Sequence, residues 1–298
     1  MDSSIHVNSY AKINWTLDVL FRREDGYHEL RTIYQTVSLY DSLRFAETTG
    51  AIEIACDDDR VPTDETNLAH KAASLLREAS GTKAGARIEI KKRIPVAAGL
   101  GGGSSNAAAT LVGLARLWRV TISEGELFDL AARLGSDVPL FLVGGTVLGV
   151  GRGEEVYPIE QADCEHLLLV NPGFAVSTAV AYGRLARLTR KDAPRIIPFT
   201  LLAAKAICEL PLAARNDLEA TVTAAHPEIA EVKRQLLSLG ARHALMSGSG
   251  ATVFGVFDNS ETSERAQSVF LAAGHWCTPA QTINRQTYWE SFFAQTGS

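Results

Sequence analysis

The spacing of hydrophobic positions changes period several times along this chain, and each change marks an element. Residues 5–20 mix Val, Ile, Trp, Thr and Leu and read as a strand. Arg22-Arg23-Glu24-Asp25-Gly26 is a charged turn with Asp-Gly at its tip, and strand-like runs follow at 33–45 and 52–56. Asn67 opens a helical stretch in which Leu68, Ala72, Leu75 and Leu76 share one face, and Gly81 ends it. Residues 87–92 alternate as a half-buried strand. A helix with Leu111, Leu114, Ala115 and Trp118 on one face comes next, and Ser123 with Glu126 forms a capping box that starts another helix, running to about 134.

Beyond a glycine pair at 144–145, a strand is expected to about 159, and the polar residues 160–166 read as a crossing between domains. The second half predicts a strand at 167–170 and helices at 177–188 and 227–239. A strand–turn–strand centred on Ser247-Gly248-Ser249-Gly250, a helix at 261–273 and a final strand complete it. Strands and helices intersperse without strict βα alternation, so the pattern points to an α+β fold.

One segment stands outside both periods. Pro95-Val96-Ala97-Ala98-Gly99-Leu100-Gly101-Gly102-Gly103-Ser104-Ser105 places four glycines in five positions just before an Ala-rich helix. Glycines admit positive φ and let the backbone N–H groups approach a ligand closely. The helix N-terminus adds unpaired donors and partial positive charge, which makes the segment an anion cradle suited to a nucleotide phosphate. No Lys precedes Ser104, which excludes a Walker loop, and Ser104 stands where a dinucleotide fingerprint needs its third glycine. A plain Gly/Ser linker is disfavoured by the strand before and the helix after.

Composition narrows the setting. Of 298 residues, 46% are hydrophobic and 21% charged, which is ordinary globular composition long enough for two cores. The net charge of −5 offers no electrostatic footprint for nucleic acid or an anionic membrane. Cys56, Cys164, Cys208 and Cys277 are scattered, so neither a zinc site nor a disulfide framework is expected. No signal peptide or membrane span is apparent, and a soluble, cytoplasmic protein is expected.

Three segments in order resemble the motifs of the GHMP small-molecule kinases: Tyr10-Ala11-Lys12-Ile13-Asn14, Pro95 to Ser105, and Met246-Ser247-Gly248-Ser249-Gly250-Ala251. Asp25-Gly26-Tyr27-His28-Glu29-Leu30, Gly135-Ser136-Asp137-Val138-Pro139 and Asn216-Asp217-Leu218-Glu219 are similar to the branch whose substrate is a methylerythritol linked to cytidine diphosphate. Trp15 and Ser177-Thr178-Ala179 depart from what that branch often carries. The resemblance implies a two-domain α+β fold. Residues 1–160 would form the ATP-binding, catalytic domain, similar to ribosomal protein S5 domain 2, and residues 161–298 a ferredoxin-like substrate domain. Rival readings are another kinase of the superfamily, a related ATP-dependent decarboxylase and a non-catalytic binding member.

By position alone Asp137 is a turn or cap aspartate and Lys12 a strand-edge lysine. The resemblance makes Asp137 the base for the substrate hydroxyl and Lys12 the cation that keeps it ionised. Asn14, two residues from Lys12, falls on the same strand face and reads as a substrate-binding polar partner that orients the substrate or Asp137. Backbone groups of Pro95, Val96, Ala97, Ala98, Gly99, Leu100, Gly101, Gly102 and Gly103 would wrap the ATP phosphates, helped by the Ser104 and Ser105 hydroxyls. Mg2+ is implied with the nucleotide, with no carboxylate motif to hold it. For adenine the resemblance points to Asn67, Leu68 and Lys92, which by position are a helix cap, its neighbour and a surface lysine. For the cytidine it points to Tyr27, His28, Thr178 and Tyr182, with the two tyrosines as ring faces. Tyr182 also fits a core position on its helix.

Overall fold

A computed structural model describes residues 4–185 and 214–294. Its spine is a hairpin of two long strands, β1 (Ile5–Arg22) and β2 (His28–Thr48), paired antiparallel. The charged turn at 23–27 joins them, and β2 starts five residues earlier than the hydrophobic run suggests because Glu29 and Arg31 alternate with buried Leu30 and Thr32. Strands β3 (Ile52–Cys56), β4 (Gly85–Lys91), β5 (Thr146–Gly151), β6 (Glu155–Pro158) and the short β8 (Arg215–Asn216) extend the hairpin to seven strands. The stretch expected as one strand to about 159 is thus two, turning back at Gly153, whose φ is +101°.

Four helices cover one face: α1 (Leu68–Ser80), α2 (Gly102–Leu117), α3 (Glu124–Leu134) and the single-turn α4 (Leu140–Val143). The terminal signals operate as expected. Asn67 Oδ1 accepts from Ala69 N, Gly81 closes α1 at φ +68°, and Ser123 with Glu126 completes the reciprocal box at α3. Phe45, Leu76, Ile88, Leu111, Leu114 and Phe141 are fully or nearly fully buried between the sheet and these helices.

The second sheet is antiparallel in the order β11 (Trp276–Ala280), β7 (Leu167–Asn171), β10 (Val253–Val256), β9 (His243–Met246). Helices α5 (Thr178–Leu185), α6 (Glu219–Ala225), α7 (Pro227–Ser238) and α8 (Ser260–Ala272) accompany it. Residues 186–188, expected in the helix of α5, lie outside the described residues, as does Cys208. The last helix, α9 (Arg285–Phe292), was not legible in the hydrophobic pattern; it returns to the first core through Tyr288 and Phe292. A third apolar cluster joins the two sheets, with Ile13, Trp15, Ile33 and Leu148 meeting Leu167, Leu169, Phe254 and Val256. Trp15 turns its edge onto Phe254 there, at 5.4 Å between ring centres.

A register irregularity in β1 decides which residues reach the site. Val7, Ser9 and Tyr10 face the helices, but after the shift between Tyr10 and Ala11 the odd positions Ala11, Ile13 and Trp15 face the inter-sheet core. One bulge therefore delivers Lys12 and Asn14 to the helix side, beside the glycine loop. At its far end β1 pairs in parallel with β8, and buried Asp18 binds both Arg31 at 2.8 Å and Arg215 at 2.5 Å. Burial alone would raise that carboxyl; the hydrogen bonds and charges of the two arginines outweigh it and hold it below the usual carboxylate range.

Candidate active site

The glycine loop takes its shape from its backbone. Gly99 and Gly101 sit at φ +78° and +71°, and Ala97 at +52°. Gly101 precedes α2 without a side-chain cap. A Cβ on Gly101 would lie 3.0 Å from both Lys12 Cγ and Phe141 Cζ, so the absent side chain is what lets the loop lie against them. Ser105 N donates to Gly101 O, whereas among the described residues the N–H groups of Gly102, Gly103 and Ser104 have no protein acceptor. Three free donors at the mouth of a four-turn helix form the anion cradle that the pattern implied.

Lys12 and Asp137 meet beside it. Lys12 is 3% exposed; its Nζ donates to Asn14 Oδ1 at 2.7 Å and stands 3.4 Å from Asp137 Oδ2. Asn14 passes the chain on, its Nδ2 donating to Thr32 Oγ1, which donates to Thr16 O. The other carboxylate oxygen, Asp137 Oδ1, accepts from Tyr34 at 3.0 Å, and the ammonium lies 5.6 Å from the centre of the Tyr34 ring. Burial, then the Asp137 charge, push the Tyr34 hydroxyl well above its ordinary pKa, so it stays a donor. Asp137 precedes Pro139 and α4, whose carbonyls at Phe141 and Val143 accept from Tyr288 Oη and Trp289 Nε1 of the last helix.

The Gly-Ser-Gly turn of the second half closes over this pair. Ser247 Oγ donates to Gly99 O at 3.0 Å, Thr252 N to Ala98 O, and Thr178 Oγ1 lies 2.9 Å from Ser249 Oγ. A cavity of about 1090 Å³ runs along the seam, from Val61, Asn67 and Leu68 past the loop and Lys12–Asp137 to Tyr27, His28 and Tyr182. At that last end His28 stacks on Tyr182 with ring centres 5.5 Å apart and planes 29° from parallel. His28 is 8% exposed and its Nε2 has no partner among the described residues. Burial, helped by the Arg22 charge, lowers its pKa, so the ring is neutral at neutral pH. Tyr182 is half-buried, and burial raises its hydroxyl pKa.

Most of the sequence-derived residues line this one cavity, but not all equally. Leu100 is buried beneath the loop. Ser105 turns away, taking a hydrogen bond from Ser9 at 2.7 Å, so Ser104 is the hydroxyl at the cavity wall. The Asn67 amide is spent on Pro62 O and the cap of α1. Lys92 is no surface lysine: its ammonium pairs with fully buried Asp41, which also accepts from Arg93 N and Ile94 N. Tyr27 is 54% exposed and carries Arg152 over one face at 5.0 Å. Tyr34, Thr32 and Arg152 also line the cavity, and nothing in the local pattern marks them. Among the described residues no three His, Cys, Asp or Glu side chains gather to hold a metal, and no helix is long and apolar enough to cross a membrane.

Comparison with known proteins gives the family. The sequence matches the family models described as GHMP kinases N terminal domain, over residues 67–145, and GHMP kinases C terminal, over 203–275. It is 41% identical over 272 residues to a 4-diphosphocytidyl-2-C-methyl-D-erythritol kinase of Syntrophus aciditrophicus (strain SB), spanning 91% of this chain and 96% of that one. A crystal structure of 4-(cytidine 5'-diphospho)-2C-methyl-D-erythritol kinase, 35% identical, superposes with a TM-score of 0.78 over 94% of this chain and 100% of its own. A homoserine kinase from Cytophaga hutchinsonii shares the fold at a TM-score of 0.70 and 19% identity, covering 96% of each chain.

Proposed function

The chain belongs to the GHMP kinase family, in the branch of those 4-diphosphocytidyl-2-C-methyl-D-erythritol kinases, and from that premise we propose its reaction. It transfers the γ-phosphoryl group of ATP to the 2-hydroxyl of 4-diphosphocytidyl-2-C-methyl-D-erythritol, giving the 2-phosphate and ADP in the non-mevalonate route to isoprenoid precursors. The observation that carries this reading is the position of Lys12 and Asp137. They stand in one continuous cavity between a phosphate cradle and a stacked His28–Tyr182 pair.

The geometry supports the following roles. The free N–H groups at the mouth of α2 receive the ATP phosphates, with the nucleoside toward Asn67 and Leu68. At the opposite end the cytosine lies on the aromatic residues, where stacking contributes on the order of 1–3 kcal/mol per base. His28, which lines the cavity beside Tyr182, reads its polar edge. The acceptor hydroxyl between them gives its proton to Asp137 as its oxygen attacks the γ-phosphorus and the bond to ADP breaks. Lys12 offsets the charge that gathers on the transferring group, and Asn14 orients the ammonium. Ser104 is the hydroxyl at the cavity wall that would stand nearest a Mg2+ ion accompanying the nucleotide, and such an ion would supply charge neutralisation for the phosphates.

ADP release by the purified protein tests the reading, comparing the cytidyl substrate with mevalonate and homoserine. Turnover of the cytidyl substrate alone is expected. Turnover of only mevalonate or homoserine would overturn the substrate, and no substrate-dependent ADP from folded protein would overturn the kinase.

A further inference from the structure

Residues 215–219 touch no reacting group, yet they grip both sides of the reaction centre. Strand β8 lies parallel to β1 with Arg215 opposite Thr16 and Asn216 opposite Leu17. Asp217 N donates to Leu17 O at 2.9 Å and Asp217 Oδ2 accepts from Val19 N at 2.9 Å. The segment is thereby fixed to the strand that carries Lys12 and Asn14. From this anchorage the Asn216 side chain, 8% exposed, reaches the Gly-Ser-Gly turn. Its Nδ2 donates to Met246 O at 2.8 Å and to Gly248 O at 2.7 Å, while Oδ1 accepts from Leu218 N. Glu219 adds a second tie, taking Met246 N on Oε2 at 3.0 Å.

The turn held this way closes directly on the site. A Cβ on Gly248 would lie 3.1 Å from Lys12 Nζ and 3.5 Å from Asn14 Oδ1, and Ser247 Oγ binds the glycine loop at Gly99 O. Gly248 and Gly250 stand at φ +55° and +85°, and glycine has no side chain with which to fix such a conformation. Within the turn Gly250 N donates to Ser247 O and Ser247 N to Thr252 O, both at 2.9 Å, and from outside it one amide nitrogen bridges two of its carbonyls and ties it to β1.

We propose that Asn216 is a positioning residue for phosphoryl transfer, its amide bridge setting Gly248 against Lys12 and the phosphate loop. The inference rests on the kinase reading above. It acts through distance alone: a misplacement of about 1 Å at a reacting centre can cost on the order of a hundredfold in rate.

Asn216→Asp isolates the bridge. It keeps the volume and the acceptor for Leu218 N but turns an oxygen toward the two carbonyls. Val222→Ala serves as the control, because Val222 lies in the apolar cluster with Leu218 and Met246 yet its backbone hydrogen-bonds to Leu218 and His226 rather than to the turn. Asn216→Asp is expected to lower kcat by about tenfold to a hundredfold, with KM for the cytidyl substrate changing less than about twofold. Hydrogen exchange over residues 246–252 should quicken in that variant only, and Val222→Ala should lower the melting temperature with kcat near that of the wild type. Equal loss of kcat in the two variants at matched melting temperatures would overturn the inference. So would unchanged exchange over 246–252, whether or not the protein turns the substrate over. Absence of turnover by the wild type would count instead against the kinase reading.

Discussion

Tyr34 donates its hydroxyl to Asp137 Oδ1 at 3.0 Å while the Lys12 ammonium stands 3.4 Å from Oδ2, so one oxygen of the carboxylate has a hydrogen-bond donor and the other an ion-pair partner. Lys12 is 3% exposed and Asp137, which lines the cavity, 33%. Asp137→Asn keeps the shape and removes the proton acceptor. It is expected to lower kcat by about 10²–10⁴-fold while nucleotide binding, measured by titration, stays near wild type. Turnover at the wild-type rate would remove Asp137 from the mechanism.

Tyr34→Phe separates the hydroxyl from the ring. The ring is held by its surroundings: a Cβ on Gly149 would fall 2.5 Å from Tyr34 Cε2, and one on Gly153 2.5 Å from the hydroxyl. Only the hydrogen bond to Asp137 is therefore lost, worth about 1.5–3 kcal/mol for a charged acceptor. A fall in kcat of about tenfold or somewhat more is expected, with KM for ATP unchanged. Because the hydroxyl pKa is raised well above its ordinary value by burial and then by Asp137, the ratio of variant to wild-type rates should stay flat into mildly alkaline pH. A ratio near one throughout would show that the Lys12 contact suffices.

The parts of this site legible in the sequence are those encoded over a few residues. Period two places Asn14 on the Lys12 face, and glycines before an Ala-rich helix announce the cradle. The capping box and Gly81 mark their helix ends directly. Contacts made by distant register were not legible. Tyr34 reaches Asp137 because β2 pairs Tyr34 with both Asn14 and Val147, which no local pattern states. Strand β8 is two residues long and leaves no alternation to detect. Ser104 and Ser105 look equivalent in sequence, yet one residue is about 100° of helix rotation, which turns Ser105 onto Ser9.

His28 makes the substrate end sensitive to acid. Burial, then Arg22, place its folded pKa below the unfolded value of about 6.5. Between those two values the unfolded chain binds more protons, so stability falls as pH drops through about 6.5 and levels off below the folded pKa. His28→Asn should make the melting temperature less steep with pH in that window. Some slope should remain from His243, whose pKa burial and Arg242 also lower. The same variant should raise KM for the cytidyl substrate more than KM for ATP, because His28 stacks on Tyr182 at the end of the cavity away from the loop. Equal effects on both would place the base elsewhere.

Two glycines of the loop should answer alanine in opposite ways. At Gly99, φ is +78° and a Cβ would lie 2.2 Å from Ser247 O, 3.0 Å from Gly250 O and 3.1 Å from Gly250 N. All three are backbone atoms, so no rotamer change can relieve the clash. Either the loop retreats or the Gly-Ser-Gly turn lifts, and both break the Ser247 bond to Gly99 O. At Gly103, inside α2, the nearest atom would be Leu68 Cδ1 at 3.7 Å, an ordinary contact. Alanine there favours the helix by up to about 1 kcal/mol. Gly99→Ala is therefore expected to melt several degrees lower and to weaken nucleotide binding by about tenfold or more, since the strained conformation and the lost contact each cost on the order of 1–3 kcal/mol. Gly103→Ala should melt at or above the wild-type temperature. Thermal melts with and without nucleotide read both effects, and a wild-type melt for Gly99→Ala would mean that the turn does not rest on the loop in solution.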